Sequence, residues 1–182
     1  MQRIHNVFTV LLASVCLIFF VTISVQASEQ ESVALQTASS GGDFGMAPVF
    51  RYADAAGKEM SLDVGKHKLT ALHFWATWCV PCVDELPQID DAQDIFGEKL
   101  HIVPVALDGK NAAKVQKFMK DHKIKHLPVL LDPTAKTPKL AGLKGLPGTL
   151  FIDRKGKIVA RVDGPLDWQR EDVVQFIKAR LK

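Results

Sequence analysis

The chain has 182 residues, of which 47% are hydrophobic and 24% are charged, enough for one ordinary domain with a buried core. The formal net charge of +3 is too small to indicate a nucleic-acid partner, because such proteins carry dense basic patches. Of the three cysteines, Cys16 lies in an apolar N-terminal run and the other two are separated by only two residues. One local pair cannot brace a fold of this length, so a disulfide-stapled miniprotein is excluded.

The first 27 residues are typical of a targeting segment. Arg3 precedes an apolar run at residues 7–25, and Ala27 is a small residue at which a signal peptidase could cleave. The run is also nearly long enough to span a bilayer, so cleavage and retention as an N-terminal anchor both stay open. Either outcome carries the domain across a membrane. We therefore expect a periplasmic or other extracytoplasmic protein, soluble or tethered, that meets the membrane only through this segment.

Residues 28–47 are rich in Ser, Gln, Glu and Gly, and this composition predicts a flexible linker without a packed core. The folded domain is predicted to cover residues 48–182, where strand and helix patterns alternate. The predicted strands are residues 49–52, 60–62, 70–75, 102–107, 129–131, 149–153 and 158–162. The first two and the last two form hairpins.

Four helical segments lie between or after these strands. The first covers residues 80–96 and would bury an apolar side formed by Val83, Leu86, Ile89, Ile95 and Phe96. Asn111 caps a second helix that ends at His122, residues 137–143 form a short helical or irregular piece, and Asp167 caps the last helix. The sum is an α/β fold, with a central mixed sheet flanked by helices on both faces.

The motif with the clearest chemistry is Trp78-Cys79-Val80-Pro81-Cys82, which follows a predicted strand and opens a predicted helix. Free amides and the dipole at a helix N-terminus stabilise an anion, so a thiolate forms more readily at Cys79 than in free cysteine. Cys82, three residues on, lies on the same side of the helix and can attack a mixed disulfide formed at Cys79. Pro81 is tolerated because first-turn amides have no intrahelical partner.

Other interpretations of the pair are weaker. A structural zinc site needs four ligands and no second cysteine pair is present, so no metal is predicted there. A cysteine hydrolase would leave the second thiol unexplained. A copper or zinc chaperone that uses both thiols and a histidine stays open, although no histidine has a recognisable spacing to the cysteines: His67, His73, His101, His122 and His126. The pattern favours thiol–disulfide exchange, with the Cys79–Cys82 disulfide as the redox group and no other cofactor.

Residues 74–82, FWATWCVPC, and residues 85–87, ELP, resemble the thioredoxin superfamily. Within it they are similar to the membrane-tethered or secreted bacterial thiol reductants of the TlpA, ResA and CcmG group. Residues 145–153, GLPGTLFID, resemble that group's second signature. The resemblance covers roughly residues 44–182. It implies a thioredoxin-like fold with an N-terminal hairpin and a strand–helix insertion at residues 129–143.

The resemblance also implies roles for the matching residues. Cys79 would be the nucleophile and Cys82 the resolving thiol. Pro147 would be a cis-proline facing the disulfide, which leaves the backbone of Leu146 free to pair with an extended client segment. Trp78 and Pro81, beside the cysteines, are further candidate client contacts.

Two ionisable residues near the motif are harder to interpret. Glu85 matches the group's acid and could exchange protons with Cys82, although the helix dipole also favours a first-turn glutamate. His73 stands where thioredoxin has a buried acid. We interpret it as a core histidine rather than as a catalytic base.

The resemblance implies a reductant of protein disulfides outside the cytoplasm. Such proteins receive electrons from a membrane thiol reductant and serve cytochrome c maturation or copper-site assembly. An oxidant or isomerase of the same fold would run the exchange in the opposite direction, because reduction potential sets the direction. The clients in either case are proteins that carry a dithiol or a disulfide.

Overall fold

The computed structural model describes residues 35–37 and 43–182; the predicted targeting segment, residues 1–27, lies outside the described residues. The strands are β1 (Gln36–Thr37), β2 (Arg51–Asp54), β3 (Glu59–Ser61), β4 (Leu69–Trp75), β5 (Leu100–Ala106), β6 (Leu130–Leu131), β7 (Gly148–Asp153) and β8 (Ile158–Asp163). The helices are α1 (Val80–Phe96), α2 (Ala112–Asp121), α3 (Thr137–Leu140) and α4 (Glu171–Leu181), and a single 3-10 turn (Gly97–Lys99) follows α1. The described strands form one mixed sheet in the order β1-β8-β7-β4-β5-β6-β2-β3.

Strand β4 lies at the centre of the sheet, and every one of its residues is buried. It pairs in parallel with β5 and antiparallel with β7. Because β4 and β7 run in opposite directions, Phe74 near the end of β4 lies opposite Gly148 at the start of β7. The loop that follows Trp75 and the loop that precedes Gly148 therefore meet at one end of the sheet.

Side-chain alternation along β4 divides the core into two clusters on opposite faces. Ala71 and Trp75 belong to the first cluster, together with apolar residues of α1, α2 and α4. Leu72 and Phe74 belong to the second cluster, together with Phe50 and the residues that follow α3. The predicted thioredoxin-like α/β architecture, with a sheet covered on both faces, is confirmed.

Most predicted elements agree with the structure to within two residues. Helix α1 has the predicted bounds, and Asn111 caps α2 by accepting the Lys114 N–H at 3.1 Å. The expectation that Ile95 lies on the buried side of α1 is wrong: its side chain is 75% exposed. Ile95 lies nine residues, or about two and a half turns, beyond the buried Leu86, so its side chain points to the opposite side of the helix, whereas Phe96 packs against the core.

The prediction that Asp167 caps the last helix is also wrong. Helix α4 begins at Glu171, because Arg170 has an extended backbone (φ −61°, ψ 134°). The Asp167 carboxylate instead accepts the Gln169 N–H at 2.9 Å. This is a local turn of the kind Asp readily forms, and it competes with helix capping for the same oxygen.

The chain joins the sheet before Pro48. Strand β1 pairs antiparallel with β8, and Gly45 accepts the Ile158 N–H at 3.0 Å. Phe44 and Ala47 pack against the second core cluster. The prediction of a linker without a packed core is therefore wrong for residues 43–47. The start of β8 would otherwise have unpaired backbone groups, and residues 45–47 pair with them through their own backbone whatever their side chains are.

Candidate active site

Cys79 and Cys82 form a disulfide at the N-terminus of α1, with their Cα atoms 5.3 Å apart. Cys79 is the residue immediately before the helix and retains 6% exposure, whereas Cys82 is fully buried. The neighbouring Trp78 and Val80 side chains are 65% and 70% exposed. A partner protein would therefore contact an apolar surface around the Cys79 sulfur. It could not reach the buried Cys82 sulfur directly.

Local hydrogen bonds fix the turn that carries the pair. The Cys79 N–H donates to the Ala76 carbonyl at 3.2 Å, and the Cys79 carbonyl accepts the N–H groups of Cys82 and Val83 at 3.0 and 3.1 Å. Pro81 lies in the first turn, as predicted, where a missing N–H costs no helical hydrogen bond. Its side chain is half-buried beside the disulfide.

A buried carboxylate braces the loop from the neighbouring strand. Asp108, just after β5, accepts the Thr77 N–H at 2.9 Å and the Thr77 hydroxyl at 2.5 Å. The Lys114 ammonium contacts the same carboxylate at 2.9 Å, and the Asp108 side chain is only 1% exposed. Burial opposes the charge, but the hydrogen bonds from Thr77 and Lys114 outweigh it and hold the pKa of Asp108 below its ordinary value. The sequence interpretation missed this contact, because no local pattern links residues 31 positions apart.

We expect Asp108→Asn to loosen this loop. The amide nitrogen cannot accept a hydrogen bond, so one Thr77 donor loses its acceptor, at a cost of about 1–3 kcal/mol in the free energy of unfolding. Because the turn before Cys79 is then less well fixed, disulfide exchange should slow by roughly three- to tenfold. Urea unfolding and exchange kinetics measure both effects. Asp121→Asn, which removes an exposed partner of Lys117, is the matched control and should change neither quantity appreciably.

The loop before β7 lies at the same end of the sheet as the cysteine loop. The Leu146–Pro147 peptide bond is cis, as predicted. Pro147 is buried, and its carbonyl accepts the Gly164 N–H at 2.9 Å. Leu146 is half-buried and packs against the core cluster that contains both cysteines. In the described part of the chain, no hydrogen bond uses the Leu146 backbone.

Glu85 is buried on the same side of α1 as Cys82, since residues three apart share a helix face. Its Oε1 accepts the Trp168 indole N–H at 2.7 Å, whereas its Oε2 has no hydrogen-bond partner among the described residues. Burial raises the pKa of Glu85 from 4.5 to about 8, although the hydrogen bonds from Trp168 and from the Leu166 backbone act in the opposite direction. Glu85 is therefore largely protonated at neutral pH and can change its charge near that pH.

His73 lies on β4 and is completely buried, as expected of a core histidine. Its Nδ1 is 2.9 Å from the Thr149 hydroxyl and 4.0 Å from Glu85 Oε1. Burial lowers the pKa of His73 to about 3, so the imidazole is neutral at physiological pH. The sequence analysis interpreted Glu85 and His73 one at a time and did not predict that they lie close together. It missed Trp168 and Thr149 as their partners, because these contacts cross from β7 and from the loop before α4.

Comparisons with known proteins identify the group to which this arrangement belongs. Residues 45–161 match the AhpC/TSA family. A thiol-disulfide oxidoreductase ResA of Bacillus thuringiensis subsp. konkukian is 32% identical over 72% of this chain and 75% of its own. The protein of the same name from Bacillus subtilis is 31% identical over 86% of this chain and 83% of its own. A solved chain from Chlorobium tepidum, described as a thiol:disulfide interchange protein DsbE, superposes with a TM-score of 0.65 at 30% identity, over 76% of this chain and 96% of that one.

The chain belongs to the AhpC/TSA family. With its Cys79–Cys82 pair and its ResA relatives, this family member is a thioredoxin-like thiol–disulfide oxidoreductase, and its substrates are the thiols and disulfides of proteins. Within residues 43–182, no group of three or more His, Cys, Asp or Glu side chains is placed to hold a metal ion. None of the described helices is both long enough and apolar enough to cross a bilayer.

Proposed function

We propose that this protein is a reductant of protein disulfides outside the cytoplasm. The Cys79 thiolate attacks one sulfur of a client disulfide, and the other client sulfur leaves and takes a proton. Cys82 then loses its proton and attacks the Cys79 sulfur, which closes the Cys79–Cys82 disulfide and releases the second client thiol. The client gains two electrons, and a membrane thiol reductant restores the protein's dithiol. No other cofactor takes part.

The observation that carries the reducing direction is the buried Glu85 carboxyl group beside Cys82. A strongly oxidising pair owes its potential to a stabilised reduced form, in which the thiolate is favoured. The helix N-terminus at Cys79 favours a thiolate, but the same dry surroundings that keep the Glu85 carboxyl group protonated also disfavour a negative charge on the buried Cys82 sulfur. The reduced form of this pair therefore gains less from ionisation, and the pair gives up its electrons more readily.

The surface around Cys79 supports a protein client rather than a small molecule. Trp78 and Val80 are exposed apolar side chains beside the reactive sulfur, and Leu146 borders the same end of the sheet. An extended client segment can hydrogen-bond to the free Leu146 backbone, much as a peptide adds to a sheet edge. Trp78, Pro81 and Leu146 are the proposed client contacts, and Pro147 fixes the loop that presents them.

The proposed location rests on residues 1–27, whose sequence is typical of a signal peptide or an N-terminal anchor. Outside the cytoplasm, the proposed clients are apocytochrome c whose haem-site cysteines are oxidised to a disulfide, or a copper-delivery protein whose cysteines are oxidised in the same way. Capturing clients with a Cys82→Ser variant in living cells distinguishes these two classes, because the trapped mixed disulfide identifies the client by mass spectrometry.

A redox titration of the purified protein against glutathione or dithiothreitol buffers tests the direction of exchange. We expect a potential near the approximately −270 mV of thioredoxin rather than the approximately −120 mV of a strong oxidant such as DsbA. A value near the second figure would contradict the proposal and favour an oxidant or isomerase. Above about pH 8, where Glu85 is ionised, Glu85→Gln should move the potential toward less negative values, because a carboxylate no longer opposes a nearby thiolate.

A further inference from the structure

One turn of α1 beyond Cys82 lies a cluster of four buried side chains that we call the pocket: His73, Glu85, Thr149 and Trp168. Glu85 comes from α1, His73 from β4, Thr149 from β7 and Trp168 from the loop before α4. The Trp168 ring lies edge-on to the His73 imidazole, with 6.5 Å between the ring centroids. All four residues are buried, so bulk water does not screen them from one another.

Two polar atoms of the pocket have no partner among the described residues, namely His73 Nε2 and Glu85 Oε2. Such atoms are rare in protein interiors, because a buried polar group without a hydrogen bond is costly. Strand β5 places Pro104 beside His73, and β7 contributes Thr149. The other buried carboxylates of the described residues have partners elsewhere: Asp108 binds Thr77 and Lys114, Asp90 accepts the N–H groups of Lys125 and His126, and Asp132 accepts those of Thr134 and Thr137. Apart from Cys82, His73 and Glu85 are therefore the titratable groups that face each other here.

We propose that His73 is a positioning residue for Glu85, and that its imidazole is what allows the buried Glu85 carboxyl group to ionise, so that the carboxylate can accept the Cys82 proton when Cys82 attacks. The proposal rests on the proposed role of Glu85 in exchange and extends it to a second residue. His73 does not contact the client. Its effect on the reaction passes through Glu85 alone.

The physical basis is the orientation of a neutral dipole. Thr149 holds His73 Nδ1 at 2.9 Å and so fixes the ring 4.0 Å from Glu85 Oε1. A carboxylate in an apolar cavity is strongly disfavoured, and an oriented polar group beside it lowers that cost. If the ring is replaced by an alkyl side chain, the Trp168 indole remains as a side-chain hydrogen-bond donor to Glu85. The carboxyl group should then hold its proton to a higher pH, so that at a given pH fewer molecules carry the carboxylate that can accept the Cys82 proton.

The test uses reduced protein with a limiting amount of 5,5′-dithiobis(2-nitrobenzoate). Cys79 displaces the first nitrothiobenzoate and forms a mixed disulfide, and Cys82 then displaces the second and closes the Cys79–Cys82 bond. Each displacement releases one proton, and the absorbance reports the two phases separately. We expect His73→Leu to move the pH midpoint of the second phase upward by about one unit. Thr149→Val, which keeps nearly the same shape, should move it less and in the same direction.

The double variant His73→Leu/Glu85→Gln provides the decisive control. In that background His73 should have no further effect on the second phase, because its influence passes through Glu85. An unchanged midpoint in folded His73→Leu, or the same shift in the presence of Glu85→Gln, would overturn the proposal. Should His73→Leu fail to fold, Thr149→Val carries the test, and an unchanged midpoint there overturns it equally. The redox titration of the unmodified protein tests the reducing direction independently.

Discussion

Cys79→Ser is expected to abolish disulfide reduction, lowering turnover of insulin or a model disulfide by at least about a thousandfold. The thiolate is the attacking species, and a serine hydroxyl at the same helix end does not ionise at neutral pH. Cys82 cannot take over the first step, because its side chain is fully buried beneath the pair. Turnover in the Cys79→Ser variant above a few per cent of the unmodified rate would contradict the assignment of the nucleophile.

Cys82→Ser is the matched variant, and it should fail at a different step. Cys79 can still attack a client, but no thiol resolves the product, so a mixed disulfide accumulates in a single turnover. Non-reducing electrophoresis and intact-protein mass measure this species. If both variants behaved alike and neither trapped a client, the two-step order of the exchange would be wrong.

Glu85→Gln is expected to stabilise the oxidised protein increasingly as the pH rises from 5 to 8. The folded protein keeps the Glu85 proton up to about pH 8, whereas the unfolded chain releases it near 4.5. In this window the folded state binds more protons, so each unit of pH costs the unmodified protein up to about 1.4 kcal/mol of stability. The whole window gives a ceiling of about 5 kcal/mol. Relaxation around the carboxylate reduces the expected gain at pH 8 to about 2–4 kcal/mol.

Urea unfolding at pH 5 and pH 8 measures this difference, and Glu98→Gln, at an exposed position in the turn after α1, reports the effect of removing a surface carboxylate. His73 changes the pH dependence of the free energy of unfolding in the opposite direction, because the pKa of its imidazole is lowered to about 3 in the folded protein. Its contribution is lost as the pH falls from 6.5 toward 3, when the unfolded chain takes up the proton first. An equal effect of Glu85→Gln at pH 5 and pH 8 would show that the buried carboxyl group titrates normally.

The cysteine pair and its helix could be predicted from the sequence because the motif is local. Each of its features can be recognised within about ten residues of sequence: the buried apolar strand, the Cys-X-Pro-Cys segment that opens the helix, and the short block that contains Pro147. The hydrogen bonds that fix the cysteine loop and hold Glu85 cannot be recognised in this way. Asp108 reaches Thr77 across 31 positions, and Trp168 reaches Glu85 across 83. These contacts form because the order of the strands in the sheet brings the elements together. No short stretch of the sequence reveals that order.

His73 shows the same limit in another form. Its burial could be predicted, since the residues around it form a continuous apolar strand. Its orientation could not, because alternation along β4 decides which face of the sheet it points to only once the register is known. The side chain of His73 points to the face of the sheet that α1 covers, and it therefore lies 4.0 Å from Glu85.

The way in which residues 43–47 lie along β8 bears on how the protein avoids self-association. The Ala47 N–H donates to the Gly156 carbonyl, Arg161 lies over the Phe44 ring at 5.4 Å, and Lys157 is 3.6 Å from the Asp43 carboxylate. Without this segment the backbone at the start of β8 would be unpaired. Strands of separate molecules can pair along such an open edge and aggregate. A protein shortened to begin at Pro48 would keep its cysteines and its pocket but lose this protection. We expect such a shortened protein to self-associate more readily than the full domain, because an edge of β8 is then unpaired.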